Sequence, residues 1–144
     1  MKRICGPLLA SSSNINTTAT AYLLLRVFIG LTMAFSHGMG KMPPSEMLIG
    51  GVSSLGFPMP ELFAWAAACA ELVGGLLLAI GLLTRPAAAF VAFTMLVAVF
   101  GVHGADPFEK KEMALLYLFS SLFFVLAGAG KFSLDHLLSR RCTK

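Results

Sequence analysis

Long apolar stretches dominate the pattern of hydrophobic and polar positions along the chain. Four of them approach the roughly 20 residues that an α-helix needs to cross about 30 Å of hydrocarbon. We place these predicted spans at residues 20–40, 61–83, 86–103 and 111–129. Because they fill most of the chain, the pattern predicts an all-α protein, an integral membrane four-helix bundle.

The connection between the first two spans, residues 42–60, has prolines at both of its ends, where prolines suit loops and helix starts. Between them, Ser45 can cap a short helix that has Leu48, Val52 and Leu55 on one face. We expect a short interfacial or re-entrant helix over the outer end of the bundle. An ordinary amphipathic connector is the alternative.

The remaining connections are short. Thr84 is a candidate cap and Pro86 suits a first helical position, so the second and third spans are predicted to be antiparallel neighbours. We divide the chain into a cytoplasmic tail (1–19), a four-helix domain (20–130) and a cytoplasmic amphipathic tail (131–144) whose leucines can lie on the membrane.

Composition supports a membrane protein. The 144 residues are 57% hydrophobic and 12% charged, with a mean hydropathy of +0.81, which excludes an ordinary soluble domain. Of the lysines and arginines outside the spans, seven lie on the side that carries both termini and three on the other side. The positive-inside bias therefore predicts that both termini are cytoplasmic. The pI near 9.2 then reflects anchoring against anionic lipid, and no nucleic-acid partner is predicted.

The three cysteines are Cys5, Cys69 and Cys142. They form no C-x-x-C motif, and no two of them are expected to meet outside the membrane. Thiol-disulfide exchange by this chain alone is therefore not expected.

Two ionisable residues lie within predicted spans, Arg26 in the first and Glu71 in the second. Such groups are costly in a bilayer unless they are paired or face a polar cavity, and we take both as candidate catalytic residues. Helical rise places Arg26 roughly 9 Å and Glu71 roughly 18 Å from the cytoplasmic end. Arg26 can pair with Glu71, directly or through water, or extend to the headgroups. Glu71 needs an internal partner, either Arg26 or the outer polar group.

That outer polar group lies at the outward ends of the spans. We take its members as candidate ligand-binding residues: His37, Lys41, His103, Glu112 and Tyr117. Converging there, they can bind an anion, a quinone carbonyl or a metal, or simply meet water and headgroups. No metal site is predicted, because no H-E-x-x-H motif or carboxylate cluster supplies the remaining ligands.

Several segments, in this order and spacing, resemble the DoxX family. They are Leu-Leu-Leu-Arg-Val-Phe-Ile-Gly ending at Gly30, the His-Gly at 37–38 with Lys41, Glu-Leu-Val-Gly-Gly from Glu71, and Gly-Ala-Gly-Lys-Phe-Ser-Leu-Asp ending at Asp135. The resemblance implies a four-helix protein of the bacterial inner membrane. Members are commonly labelled as candidate oxidoreductases or quinol-oxidase-like subunits, and most have no established reaction.

Two functions compete. In the first, the chain is a membrane redox component that binds a quinone or small molecule and partners an oxidoreductase; Glu71 holds or relays a proton, Arg26 sets its charge state and a histidine binds the ligand. In the second it is a non-catalytic membrane scaffold or subunit, with solute or proton transport as a third alternative. The sequence has no flavin or dinucleotide fingerprint, so it leaves enzymatic activity open. A quinone is the candidate cofactor; haem is not favoured, because both outer histidines lie near the interface. A homo-oligomer is a further candidate assembly.

Overall fold

The computed structural model describes residues 15–142 and the side chains of residues 16–141. Most of the predicted N-terminal tail, with Lys2, Arg3 and Cys5, lies outside the described residues, as does Lys144. The described part is all-helical and contains no strand. The prediction of an all-α protein is confirmed.

Six α-helices follow one another within residues 15–142. They are α1 (Ile15–Thr32), α2 (Glu46–Ser54), α3 (Pro60–Ile80), α4 (Thr84–Val97), α5 (Phe108–Ala127) and α6 (Leu134–Cys142). Helix α1 continues as a π-helical segment, Met33–Gly38, and a 3-10 turn, Met39–Lys41; α4 continues as a π-helical segment, Ala98–Val102. With these extensions, α1, α3 and α4 are long and apolar enough to cross a membrane. Helix α5 is not among these three, and four consecutive charged residues occupy its first turn, residues 109–112.

The long helices pack in sequence: α1 on α3, α3 on α4, and α4 on α5. The buried core between them includes Met33 from the α1 extension, Val91 and Met95 from α4, and Tyr117 and Leu118 from α5. We call the end of this packing where α1 begins the Arg26 end. The opposite end, where the α1 extension stops, is the Lys41 end.

A short helix forms between α1 and α3, as predicted. The hydroxyl of Ser45 accepts a hydrogen bond from the backbone N–H of Leu48 at 3.3 Å, which is the expected cap of α2. Helix α2 packs against α3, and the side chain of Leu55, just after it, lies beside Gly101 in the α4 extension.

The turn between α3 and α4 differs in detail from the prediction. Helix α3 ends at Ile80 because Gly81 adopts a left-handed conformation, φ 72°, and the N–H of Leu82 donates to the carbonyl of Leu77 at 3.0 Å. Helix α4 begins at Thr84 itself, two residues before Pro86. The predicted cap is replaced by a carboxylate from a distant part of the chain, that of Asp135.

Candidate functional site

Small residues bring the end of α1 against the middle of α3. A β-carbon added to Gly30 would lie 2.6 Å from the carbonyl oxygen of Gly75, and one added to Gly75 would lie 2.8 Å from the backbone nitrogen of Ala34. One turn further along α1, Gly38 contacts the backbone of Leu72. Small residues spaced four apart allow two helix backbones to approach closely within a membrane. Gly38 is not among the predicted site residues, although its contact with α3 sets the level of Lys41 relative to Glu71.

Glu71 pairs with Lys41. The ammonium Nζ of Lys41 donates to Oε1 of Glu71 at 2.6 Å and to Oε2 at 2.7 Å. The Glu71 side chain is 2% exposed, whereas that of Lys41 is 35% exposed. Two short charge-assisted bonds satisfy both oxygens of a buried carboxylate, and they leave one ammonium N–H of Lys41 for another acceptor.

His37, four residues before Lys41, contacts Tyr117 of α5. The His37 imidazole and the Tyr117 ring meet edge to face, with centroids 5.1 Å apart and planes at 77°. His37 is half-buried and Tyr117 is buried. His37 directly precedes Gly38, whose α-carbon packs against the backbone of Leu72 and Glu71. Four of the seven predicted site residues therefore cluster as two contacts, Glu71 with Lys41 and His37 with Tyr117, and the extension of α1 carries both His37 and Lys41.

The other two outer candidates belong to a different cluster. Nδ1 of His103 donates to Oδ2 of Asp106 at 2.8 Å, and Nζ of Lys110 lies 3.7 Å from Oδ1 of the same carboxylate. The hydrogen bond from His103 holds the pKa of Asp106 below its ordinary value. Glu112 is exposed. Across residues 16–141, neither His103 nor Glu112 forms a hydrogen bond, ion pair or ring contact with the four clustered residues.

Arg26 lies at the opposite end and does not contact Glu71. Its Nη1 donates to the carbonyl of Ala129, and its Nη2 donates to that of Phe132 at 2.8 Å. The side chain is only 1% exposed, so it does not extend to the headgroups either. Arg26 instead binds the backbone of the segment that joins α5 to α6.

Neighbouring residues shape this Arg26 network. Gly81 is buried against the guanidinium, and a β-carbon there would lie 2.6 Å from Cζ of Arg26. The hydroxyl of Tyr22, one turn before Arg26, donates to the carbonyl of Gly128. Both α1 side chains thus hold the chain just after α5, at residues where glycines with positive φ turn the backbone.

Asp135, which is not among the predicted site residues, completes the network. Its carboxylate accepts hydrogen bonds from the backbone N–H groups of Leu83 at 2.8 Å and Thr84 at 2.9 Å, and its own N–H donates to the carbonyl of Gly81 at 2.9 Å. Burial favours the neutral acid, but the donated N–H groups of Thr84 and Leu83 outweigh it and lower the pKa of Asp135. Asp135 joins two segments, Gly-Leu-Leu-Thr-Arg at residues 81–85 and Lys-Phe-Ser-Leu-Asp at 131–135. These two segments were the sequence signal that could have indicated its role.

These two networks offer different chemistry. In the Arg26 network, Nη1 and Nη2 of Arg26 donate to backbone carbonyls, so the network connects α1 to the segment after α5. The Lys41–Glu71 pair presents an ammonium N–H and a nearby imidazole at a partly open position, a set that suits a carbonyl or another hydrogen-bonding ligand. Within the described part of the chain, no three His, Cys, Asp or Glu side chains lie close enough to hold a metal ion.

Comparison with known proteins gives consistent matches. The family model named DoxX matches residues 21–104. The chain is 35% identical over 114 residues to "Putative oxidoreductase CatD" of Bacillus subtilis, covering 78% of this chain and 83% of that protein. It is 31% identical over 136 residues to "Uncharacterized membrane protein Rv3486" of Mycobacterium tuberculosis, covering 84% and 83%. An uncharacterized protein of Haemophilus influenzae is 35% identical over 120 residues, covering 78% and 86%. No solved structure matches the chain.

Proposed function

Because this chain belongs to the DoxX family of membrane proteins, we propose that it binds a quinone or a similar small molecule at the Lys41–Glu71 pair and serves a partner oxidoreductase in the bacterial inner membrane. The observation that carries the proposal is a fully buried carboxylate whose cationic partner is one-third exposed. A charged pair within a membrane-spanning helix marks a functional position more often than a structural one.

The proposed topology has four membrane-spanning helices, including α5. Helix α5 is 20 residues long and packs along α4, and its residues after the charged first turn present exposed apolar side chains such as Phe119, Leu122 and Leu126. Helix α2 would lie at the interface over the Lys41 end. The distribution of lysine and arginine would place the Arg26 end, with both termini, in the cytoplasm.

At the proposed site, the third N–H of Lys41 would donate to a quinone carbonyl and His37 would provide a second hydrogen bond. Reduction of a quinone takes two electrons and two protons. The chain has no flavin or dinucleotide fingerprint of its own, so the partner would deliver the electrons. The two protons would come from water at the exposed side of Lys41, and Glu71, bonded to Lys41, would hold or pass on each of them close to the ligand. Arg26 has no part in this chemistry, since its donors bind the segment after α5.

The test is binding of short-chain ubiquinone and menaquinone analogues to the purified protein, measured by calorimetric titration in detergent. We expect the unmodified protein to bind one of them and Glu71→Gln to weaken binding about tenfold or more. Glu71 holds the Lys41 ammonium in position for the ligand, and a hydrogen bond from a charged donor is worth about 1.5–3 kcal/mol. The matched control is Glu112→Gln, which changes an exposed carboxylate and should bind as the unmodified protein does. Equal binding by Glu71→Gln and the unmodified protein would refute the proposed site.

A membrane scaffold is the second candidate, and the Arg26 network favours it. Arg26 and Tyr22 connect α1 to the segment after α5, which is what a subunit needs in order to present a fixed surface. For a scaffold, neither quinone would bind and Glu71→Gln would lower only the stability of the fold. Purification from a native membrane would then yield a soluble oxidoreductase bound to the chain whether or not residue 71 is changed.

A further inference from the structure

Charged residues are divided unequally between the two ends of the molecule. The chain has seven acidic residues, and six of them lie at the Lys41 end or in the pair itself: Glu46, Glu61, Glu71, Asp106, Glu109 and Glu112. At the Arg26 end the described acidic residue is Asp135, and its carboxylate is occupied by two backbone N–H groups. Arg85, Lys131, Arg140 and Arg141 are exposed there. The Arg26 end therefore carries a net positive charge.

Helix α6 has one side against the protein and one side uncovered. Asp135 and His136 are half-buried, whereas the leucines on the other side are exposed: Leu134 by 39%, Leu137 by 57% and Leu138 by 49%. Residues three and four apart share a helix face, so these leucines form one apolar strip. Arg140 and Arg141 are exposed at the end of the same strip.

Hydrogen bonds at the first turn of α6 fix the orientation of the helix and therefore of its uncovered side. The N–H and the carboxylate of Asp135 both bond to the α3–α4 turn, and the hydroxyl of Ser133 accepts the N–H of His136 at 3.1 Å. The first turn of α6 therefore lies next to the ends of α3 and α4, two helices that are long and apolar enough to cross a membrane. At the end of such helices the surroundings are lipid headgroups.

We propose that the exposed side of α6 is a binding surface for anionic phospholipids: Leu134, Leu137 and Leu138 enter the acyl-chain boundary, and Arg140 and Arg141 bind the phosphate groups. A strip of leucines flanked by arginines is typical of helices that lie in the plane of an anionic bilayer. An acidic soluble partner would match the arginines alone, whereas an anionic bilayer at the ends of α3 and α4 offers phosphate groups to the arginines and acyl chains to the leucines. The proposal does not depend on the Lys41–Glu71 site.

The experiment places an environment-sensitive fluorophore at residue 137 of the full-length protein. A cysteine replaces Leu137 after Cys5, Cys69 and Cys142 have been changed to serine or alanine, and the protein is placed in nanodiscs of phosphatidylcholine with or without phosphatidylglycerol. We expect a blue-shifted emission, quenched by lipids spin-labelled in their acyl chains, and a stronger effect when phosphatidylglycerol is present. Each arginine near an anionic surface is worth about a fivefold change in binding, so Arg140→Gln with Arg141→Gln should weaken docking about 30-fold.

The matched control changes Lys110 and Lys111 to glutamine. These residues lie at the Lys41 end, and their loss should leave the probe's response to phosphatidylglycerol intact. Two outcomes would overturn the proposal. One is a probe that remains in water in anionic nanodiscs, as expected if a soluble partner normally covers the helix; the other is docking that ignores both lipid charge and the two arginines. Far-UV circular dichroism of each variant checks that the fold is retained.

Discussion

Replacing Lys41 by methionine should destabilise the fold more than replacing Glu71 by glutamine. The Lys41→Met change removes the cation that binds both oxygens of Glu71 and leaves a carboxylate that is 2% exposed without its partner. The Glu71→Gln change leaves a lysine that is already one-third exposed and can turn to water. The two changes thus remove the same ion pair but leave different residues behind.

Removing one member of a buried ion pair typically costs 3–5 kcal/mol, because the remaining charge stays desolvated. Since Lys41 is partly exposed, solvent already weakens the pair, and we expect about 2–3 kcal/mol for Lys41→Met. For Glu71→Gln we expect about 1 kcal/mol, since the amide oxygen still accepts one hydrogen bond from Lys41. The double variant buries no charge and should lose only about 1–2 kcal/mol, which corresponds to a coupling energy of about 1–2 kcal/mol.

The assay is denaturant unfolding in detergent, followed by far-UV circular dichroism for the four proteins of this double-mutant cycle. Lys110→Met is the matched control, since Lys110 is exposed and lies 3.7 Å from Asp106, and its free energy of unfolding should change by no more than about 0.5 kcal/mol. Equal costs for Lys41→Met and Glu71→Gln, with a double variant that shows their plain sum, would refute the view that Lys41 compensates a buried charge.

Two further predictions concern helix packing and pH. Gly30→Ala should lower the free energy of unfolding by about 1–3 kcal/mol, because the new β-carbon would lie 2.5 Å from the backbone nitrogen of Ala79. The control is Gly50→Ala in α2, where nothing lies within 4 Å of the new β-carbon; it should be neutral or stabilising by up to about 1 kcal/mol. Thermal unfolding measures both variants, and equal losses of stability would contradict the prediction. The lowered pKa of Asp135 means that its contribution is present above the unfolded pKa of about 3.9 and is lost as pH falls through the folded value. Asp135→Asn should therefore lower the free energy of unfolding at neutral pH by about 0.5–1 kcal/mol, a small value because Asp135 is partly exposed. The difference from the unmodified protein should shrink as the pH falls through the lowered pKa of Asp135; a difference that persists unchanged in acid would argue against a carboxylate cap.

The helices follow from local rules, so the sequence predicted them well. Apolar length predicted the three helices that can cross a membrane, and Ser45 with its flanking prolines predicted α2. The start of α4 was less accurate because its cap comes from Asp135, 51 residues further along the chain from Thr84. A cap supplied by tertiary contact leaves no trace in the sequence next to the helix. The π-helical segments at the ends of α1 and α4 were also not predicted, since the apolar pattern continues through them unchanged.

The sequence indicated which residues to consider for the candidate site, but not which of them form a pair. Buried ionisable residues and an outer polar group were visible from composition, and Lys41 and His37 were among the candidates for Glu71. What decided between Arg26 and Lys41 was the level at which α1 meets α3, and the close contacts of Gly30 and Gly38 set that level. Such contacts depend on which helix faces pair, and periodicity along one helix does not specify this.

Helix geometry explains why Arg26 and Glu71 act at different places. Arg26 is packed against Gly81, and Glu71 precedes Gly81 by ten residues, which is about 15 Å along α3. No arginine side chain spans that distance, so Glu71 needs a cation that enters from the Lys41 end. Helix α1 supplies one because its π-helical and 3-10 segments carry the backbone past Gly38 and place Lys41 beside the middle of α3. Arg26 is then free to bind the chain after α5, and Glu71 is buried beside a lysine that stays one-third exposed.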